Sequence, residues 1–170
     1  RILNMLATGG EYHSDPRERY AGGLTPEQAE RGKRLLRMIS AVQFTLPGVP
    51  CVYYGDEAGI DGGVDPFNRG CYPWGNEDEE LIAHYKFLGR LRKEHPVFKE
   101  GEFVPVSAAL GCVAFERRGE GERIMTVANR NEHPLVYVLP EEGWSSLTGE
   151  RIGGRELYLG AESTAILIFR

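Results

Sequence analysis

Two adjacent acids, Asp56 and Glu57, and an acid–base pair four residues apart, Asp65 and Arg69, are the positions of this sequence most suited to chemistry. A carboxylate pair that cleaves a glycosidic bond needs both groups facing the sugar, at ~5 Å for retention or ~6.5–9.5 Å for inversion. Successive side chains on extended backbone point to opposite faces, so Asp56 and Glu57 are poorly placed for that work. Capping of nearby backbone N–H groups, or pairing with an arginine, suits them better. In Asp65-Pro66-Phe67-Asn68-Arg69 the carboxylate accepts and the guanidinium donates, a combination that suits vicinal sugar hydroxyls. The same spacing also makes a local salt bridge that staples the loop, worth little where exposed. Tyr72 and Trp74 offer either a stacking face for a sugar or the packing of a Pro-Trp turn.

The elements that must position these groups are legible on both sides. Thr25-Pro26-Glu27-Gln28 has the pattern of a capping box with Pro at the first helical position. Leu35, Met38, Ile39 and Val42 follow at helical spacing until Pro47-Gly48, which predicts a helix over 26–45. Val49 to Tyr54 is a short apolar run without alternation and reads as a strand buried on both faces, as in a parallel sheet. Ligands gather beyond the carboxyl ends of such strands, where Asp56 and Glu57 follow. The long Gly- and Pro-rich loop from Gly55 to Asn76 is of the length usually reserved for function. A second helix is predicted over 77–94, with Asn76 as N-cap, acids in the first turn, bases in the last and Pro96 as its stop. Beyond Val97 come short runs at 103–106, 112–116, 124–128, 135–139, 157–159 and 165–169, separated by turn-formers. These predict an antiparallel sandwich of six to eight strands.

Composition excludes several classes. The chain has 170 residues, 20 Lys+Arg against 25 Asp+Glu, and a net charge of −5. With a pI near 5.5 and no basic run, it lacks the electrostatic footprint for nucleic acid or an anionic membrane. No stretch approaches the ~18 apolar residues of a membrane span. Cys51, Cys71 and Cys112 are too widely spaced for metal or redox motifs and favour a reducing, cytoplasmic setting. The four histidines, His13, His84, His95 and His133, show no metal-ligand spacing, and Asp61 to Asp65 lacks the alternating oxygens of a calcium loop. No cofactor motif is present.

The run Phe44-Thr45-Leu46-Pro47-Gly48-Val49-Pro50-Cys51-Val52-Tyr53-Tyr54-Gly55-Asp56-Glu57 resembles the segment around the eighth barrel strand of the α-amylase superfamily of glycoside hydrolases. Gly62-Gly63-Val64-Asp65-Pro66-Phe67-Asn68-Arg69-Gly70-Cys71-Tyr72-Pro73-Trp74 is similar to the following loop in the neopullulanase, cyclomaltodextrinase and maltogenic amylase branch. Leu88 to Pro96 resembles the last barrel helix and its exit. Val127-Ala128-Asn129-Arg130 and Trp144-Ser145-Ser146-Leu147-Thr148-Gly149-Glu150 resemble the C-terminal β-sandwich. Relatives more often show Arg-x-Pro-x-Pro-Trp where this chain has Cys-Tyr-Pro-Trp.

The resemblance implies an α/β plus all-β chain: residues 1–95 as the C-terminal part of a TIM (β/α)8 barrel (last strand and two helices), and 96–170 as an antiparallel sandwich. It implies hydrolysis of α-glucosidic bonds with retention by an intact enzyme. It also implies a start just downstream of the last catalytic acid, since Arg1-Ile2-Leu3 resembles the stretch that follows it; His13-Ser14-Asp15 does not match the acid's motif. All three catalytic carboxylates are then absent, no catalytic residue is assigned, and this chain alone is expected to be inactive. Asp65 and Arg69 match the pair that contacts glucose, and Asp56 and Glu57 match residues that support the site. The expected partners are an α-glucan oligosaccharide, and either further copies of the chain or the missing N-terminal part of the same protein. The rival expectations are a carbohydrate-binding module using Trp144 with Tyr137 or Tyr158, and a purely structural domain.

Overall fold

In the computed structural model, residues 1–9, 23–63 and 65–170 are described; His13, Ser14 and Asp15 lie outside them. The chain divides into two compact units, Arg1–Arg37 with Cys51–Phe87, and Met38–Pro50 with Leu88–Arg170.

The first unit is built on α1 (Ile2–Thr8), the beginning of α2 (Pro26–Thr45) and the beginning of α3 (Glu79–Glu94). Its core is Leu3, Leu36 and Leu81, with Ile2, Leu6 and Leu24 against them. The approach of α1 to α2 depends on Gly32, where a Cβ would stand 2.9 Å from the Leu3 carbonyl oxygen and 3.0 Å from Ala7 Cβ. The start of α2 is the expected capping box: Gln28 N–H donates to Thr25 Oγ1 (3.2 Å) and Thr25 N–H to Gln28 Oε1 (3.0 Å). The start of α3 differs from expectation. Asp78, not Asn76, supplies the cap, its Oδ1 accepting from Leu81 N–H at 2.9 Å, while Oδ2 pairs with Lys33 at 2.7 Å. A carboxylate that satisfies both an orphan amide and a lysine on α2 sets the helix boundary two residues later.

The run from Val49 to Tyr54, expected as a buried strand, forms none. Val49 is 92% exposed, and Val52, Tyr53 and Tyr54 are also exposed. A strand exists only by pairing, and no described strand hydrogen-bonds to this run. The apolar pattern is present without the neighbours that would turn it into a ladder.

The second unit is a two-sheet sandwich. Strands β1 (Glu102–Ala109), β2 (Cys112–Gly119), β3 (Glu122–Asn129), β8 (Ser163–Phe169) and β5 (Trp144–Ser146) form one sheet in that order. Strands β4 (Leu135–Val138), β7 (Glu156–Leu159) and β6 (Ile152–Gly153) form the other. All pairings are antiparallel. Met125 and Val127 of β3, Ala165 and Leu167 of β8 and Leu157 and Leu159 of β7 meet in the core between the sheets, as period-two alternation requires. The alternate residues of β3, Ile124, Thr126 and Ala128, are buried as well. The far face of that sheet is covered by the end of α2 and by α4 (Val97–Glu100): Thr164 Oγ1 donates to the Met38 carbonyl (3.0 Å) and Arg117 to those of Thr45 (3.3 Å) and Gly101 (2.8 Å).

Asn129, fully buried at the end of β3, uses its whole amide. Nδ2 donates to the carbonyls of His133 (3.0 Å) and Gly160 (2.7 Å), and Oδ1 accepts from Asn131 N–H (3.0 Å) and Nδ2 (2.8 Å). Two connections of the sandwich are thereby tied to one side chain. Asn129→Ala leaves these groups unpaired and is expected to destabilise the second unit by about 1–3 kcal/mol, read as an earlier urea transition of the buried Trp144 fluorescence.

Candidate functional site

The loop between Cys51 and Asp78 gathers the residues singled out above, and its shape comes from tethers. Gly55, at φ +86°, turns the chain where a Cβ would meet Ile60 Cδ1 at 2.2 Å. Asp56 N–H donates to the Tyr53 carbonyl (3.0 Å), Ala58 and Ile60 N–H to that of Gly55 (3.1 and 3.0 Å). The far end closes on the near end through Asp78 N–H to the Ala58 carbonyl (3.1 Å). Gly62 N–H donates to Asn4 Oδ1 on α1 (2.8 Å), and the Tyr54 hydroxyl to the Gly70 carbonyl (3.0 Å).

Arg1 is the least expected member of this cluster. Its buried guanidinium lies 4.7 and 4.6 Å from the ring centroids of Tyr53 and Tyr54. It donates to the Tyr54 carbonyl and, at 3.5 Å, to Asp56 Oδ1. Among the described residues its Nε and Nη2 have no acceptor. No spacing rule reaches from position 1 to position 56, so sequence reasoning had no signal for it.

Asp56 and Glu57 diverge. Asp56 faces Arg1, whereas Glu57 turns back to accept from Gly55 N–H at 2.9 Å. Burial raises the Asp56 carboxyl above its usual range, against the opposing pull of Arg1. Burial, with Glu57 and Glu77 nearby, also raises the Tyr72 hydroxyl. Asp65 and Arg69 meet: Arg69 Nη2 stands 2.7 Å from Asp65 Oδ1, with the Arg69 side chain 67% and the Asp65 side chain 63% exposed. Tyr72 and Trp74 have ring centroids 4.5 Å apart at 47°.

The aromatic trio proposed for a binding face on the sandwich does not form one. Trp144 is in the core, edge-on to Phe169 and beneath Arg123. Tyr137 is partly buried with its hydroxyl on Ser107 (2.9 Å), and Tyr158 lies under Arg151 at 4.4 Å. Alternation turned Trp144 and Tyr137 inward. All three cysteines are free thiols. Burial, with the charge of Arg37, lowers His84 to about 4. Among the described residues no cluster of His, Cys, Asp and Glu could hold a metal ion, and no helix is long and apolar enough to cross a membrane.

No family model matches the chain. It is 37% identical over 109 residues to a cyclomaltodextrinase from Bacillus sp, an alignment covering 62% of this chain and 20% of that protein. It is 32% identical over 148 residues to a maltogenic alpha-amylase from Bacillus acidopullulyticus, covering 79% of this chain and 25% of the relative. A solved cyclomaltodextrinase structure superposes with a TM-score of 0.72 at 29% identity, covering 84% of this chain and 27% of that one. The chain therefore spans about a quarter of the length of the relatives it matches, in their C-terminal region.

The geometry around Asp56 has a titration consequence. Because burial raises its pKa, the folded loop favours the protonated carboxyl; this contribution is present below the unfolded pKa and lost as pH rises through the folded one. Arg1→Met removes the charge that opposes the shift. The Asp56 pKa is then expected to climb further, measured by carbon-detected NMR titration of the carboxyl; an unchanged midpoint would show that the pair is too weak to matter.

Proposed function

The chain belongs to the α-amylase superfamily of glycoside hydrolases, and on that footing we propose that it supplies the C-terminal part of a retaining α-glucan hydrolase. Residues 1–95 serve as the C-terminal part of a (β/α)8 barrel, in which the run at 49–54, not a strand in this chain, becomes the last strand only beside the strands of the rest of the barrel, and 96–170 serve as the accessory sandwich. The intact enzyme cleaves α-glucosidic bonds by double displacement through a covalent glycosyl intermediate. None of Asp56, Glu57 or Asp65 is the nucleophile or the acid/base, so this chain alone does not turn over.

The observation that carries this reading is the Asp65–Arg69 pair. An exposed ion pair of this kind adds little to stability, yet it presents an acceptor and a donor side by side at the surface of a tethered loop. Asp65 accepts from one hydroxyl of a glucose unit while Arg69 donates to its neighbour. Asp56 and Glu57 act at one remove, by holding the Gly55 turn and the loop beyond it. The exposed apolar run at Val49, Val52, Tyr53 and Tyr54 is the surface that the rest of a barrel covers, which supports association with further copies or with the remainder of the same protein.

Two measurements test this. Incubated with maltoheptaose and with a cyclodextrin, the chain is expected to release no reducing sugar while binding both weakly by calorimetry, with binding lost in Asp65→Ala. Hydrolysis above background that co-purifies with the chain would return Asp56, Glu57 and Asp65 to consideration as catalysts. In sedimentation the chain is expected to self-associate and to bind an apolar dye; a monomer with little dye uptake would remove the barrel-surface argument.

A further inference from the structure

Trp74 is 81% exposed, well above any other large aromatic among the described residues. It is nevertheless held: Trp74 N–H donates to the Tyr72 carbonyl (3.0 Å), Asn76 N–H to that of Pro73 (2.8 Å), and Gly75 at φ +79° completes the turn. Tyr72 stands against the indole at 4.5 Å between centroids. An indole backed by a second ring and fixed by the turn on either side presents a defined flat face. Such a ring suits a ligand with a flat apolar face and a polar rim, which describes a pyranose: its axial C–H groups cover the ring, and its hydroxyls need donors and acceptors beside it. Those are present in the same loop as Asp65 and Arg69. Four residues lie between Arg69 and Trp74, so the two stand at most about 18 Å apart, within the span of a short oligosaccharide.

We propose that Trp74, buttressed by Tyr72, is a stacking platform for an outer glucose unit of an α-glucan oligosaccharide whose inner unit is held by Asp65 and Arg69. This rests on the reading of Asp65 and Arg69 as sugar ligands. The platform makes affinity depend on chain length, since a short oligosaccharide reaches the polar pair only.

The test is calorimetric titration of the whole chain and of Trp74→Ala, Trp74→Phe and Asp65→Ala with maltotriose and maltoheptaose, thermal melts confirming that each variant folds as the parent does. The parent is expected to bind maltoheptaose more tightly than maltotriose. Trp74→Ala should weaken maltoheptaose about tenfold, the scale of one aromatic contact, with little effect on maltotriose, while Trp74→Phe keeps most of the affinity. In the parent, maltoheptaose should also protect tryptophan emission from acrylamide, a change assigned to Trp74 because Trp144 is buried. If Trp74→Ala binds maltoheptaose as the parent does while Asp65→Ala does not, the platform is overturned and the sugar pair stands. Loss in Trp74→Ala with none in Asp65→Ala supports the platform and overturns the pair. Absence of binding or protection in the parent overturns both.

Discussion

The guanidinium of Arg1 lies against the rings of both Tyr53 and Tyr54, with the Tyr54 carbonyl and Asp56 as its acceptors, and the course of the chain from 54 to 63 follows from that placement. A buried positive charge needs both acceptors and polarisable faces to offset its lost hydration. Here two consecutive tyrosines provide the faces and the next turn provides the acceptors. The Gly55 turn must then bend sharply enough to bring Asp56 back beneath the guanidinium, which leaves no room for a side chain at Gly55. Once that turn is set, Glu57 is aimed at the Gly55 amide, and Gly62 reaches Asn4. A segment with almost no regular secondary structure thus acquires a defined path from a few long-range polar contacts, where a helix would have relied on local ones.

The same economy governs the helix ends. An α-helix leaves its first four amides and last four carbonyls without internal partners. At the start of α3, Asp78 satisfies one amide and pairs with Lys33, which holds its carboxyl below the usual range although burial pushes the other way. At and just beyond the end of α2, Arg92 donates to the carbonyls of Phe44 (2.6 Å) and Gly48 (2.7 Å). Each of these side chains links two stretches that are distant in sequence, so capping and tertiary packing are a single event.

That coupling explains what the sequence shows and what it hides. The limits of α2 are written locally, in Thr25-Pro26-Glu27-Gln28 and Pro47-Gly48, and the helix obeys them. The strands of the sandwich follow from alternation and turn residues; β5 and β6, three and two residues long, are too brief for periodicity to register. Asn76 and Asp78 are equally good caps by residue type, and only Lys33, more than forty positions earlier, decides between them. The run at 49–54 has the composition of a buried strand, but composition cannot supply a neighbour. Asp65 and Arg69 are brought together because they are four residues apart in a turn closed by Arg69 N–H on the Pro66 carbonyl. Arg1, which organises the loop carrying them, is invisible to any local rule.

Two groups of charges in this chain differ sharply in exposure, and the fold depends on only one of them. Glu116 is 1% exposed and is met by Arg118 at 2.7 Å and Arg123 at 3.1 Å, with Arg123 also covering Trp144 and Phe169. Removing both partners there would strand a buried carboxylate, so the network belongs to the architecture of the sandwich. Asp65 and Arg69 carry no such burden. Solvent screens their attraction, and each keeps hydrogen-bonding capacity that its partner does not use. A sugar hydroxyl can replace water at those positions without dismantling any contact on which the fold relies. The loop is held through Gly55, Asn4 and the Tyr54 hydroxyl, none of which depends on Asp65 or Arg69, and that independence is what the role proposed for the pair requires.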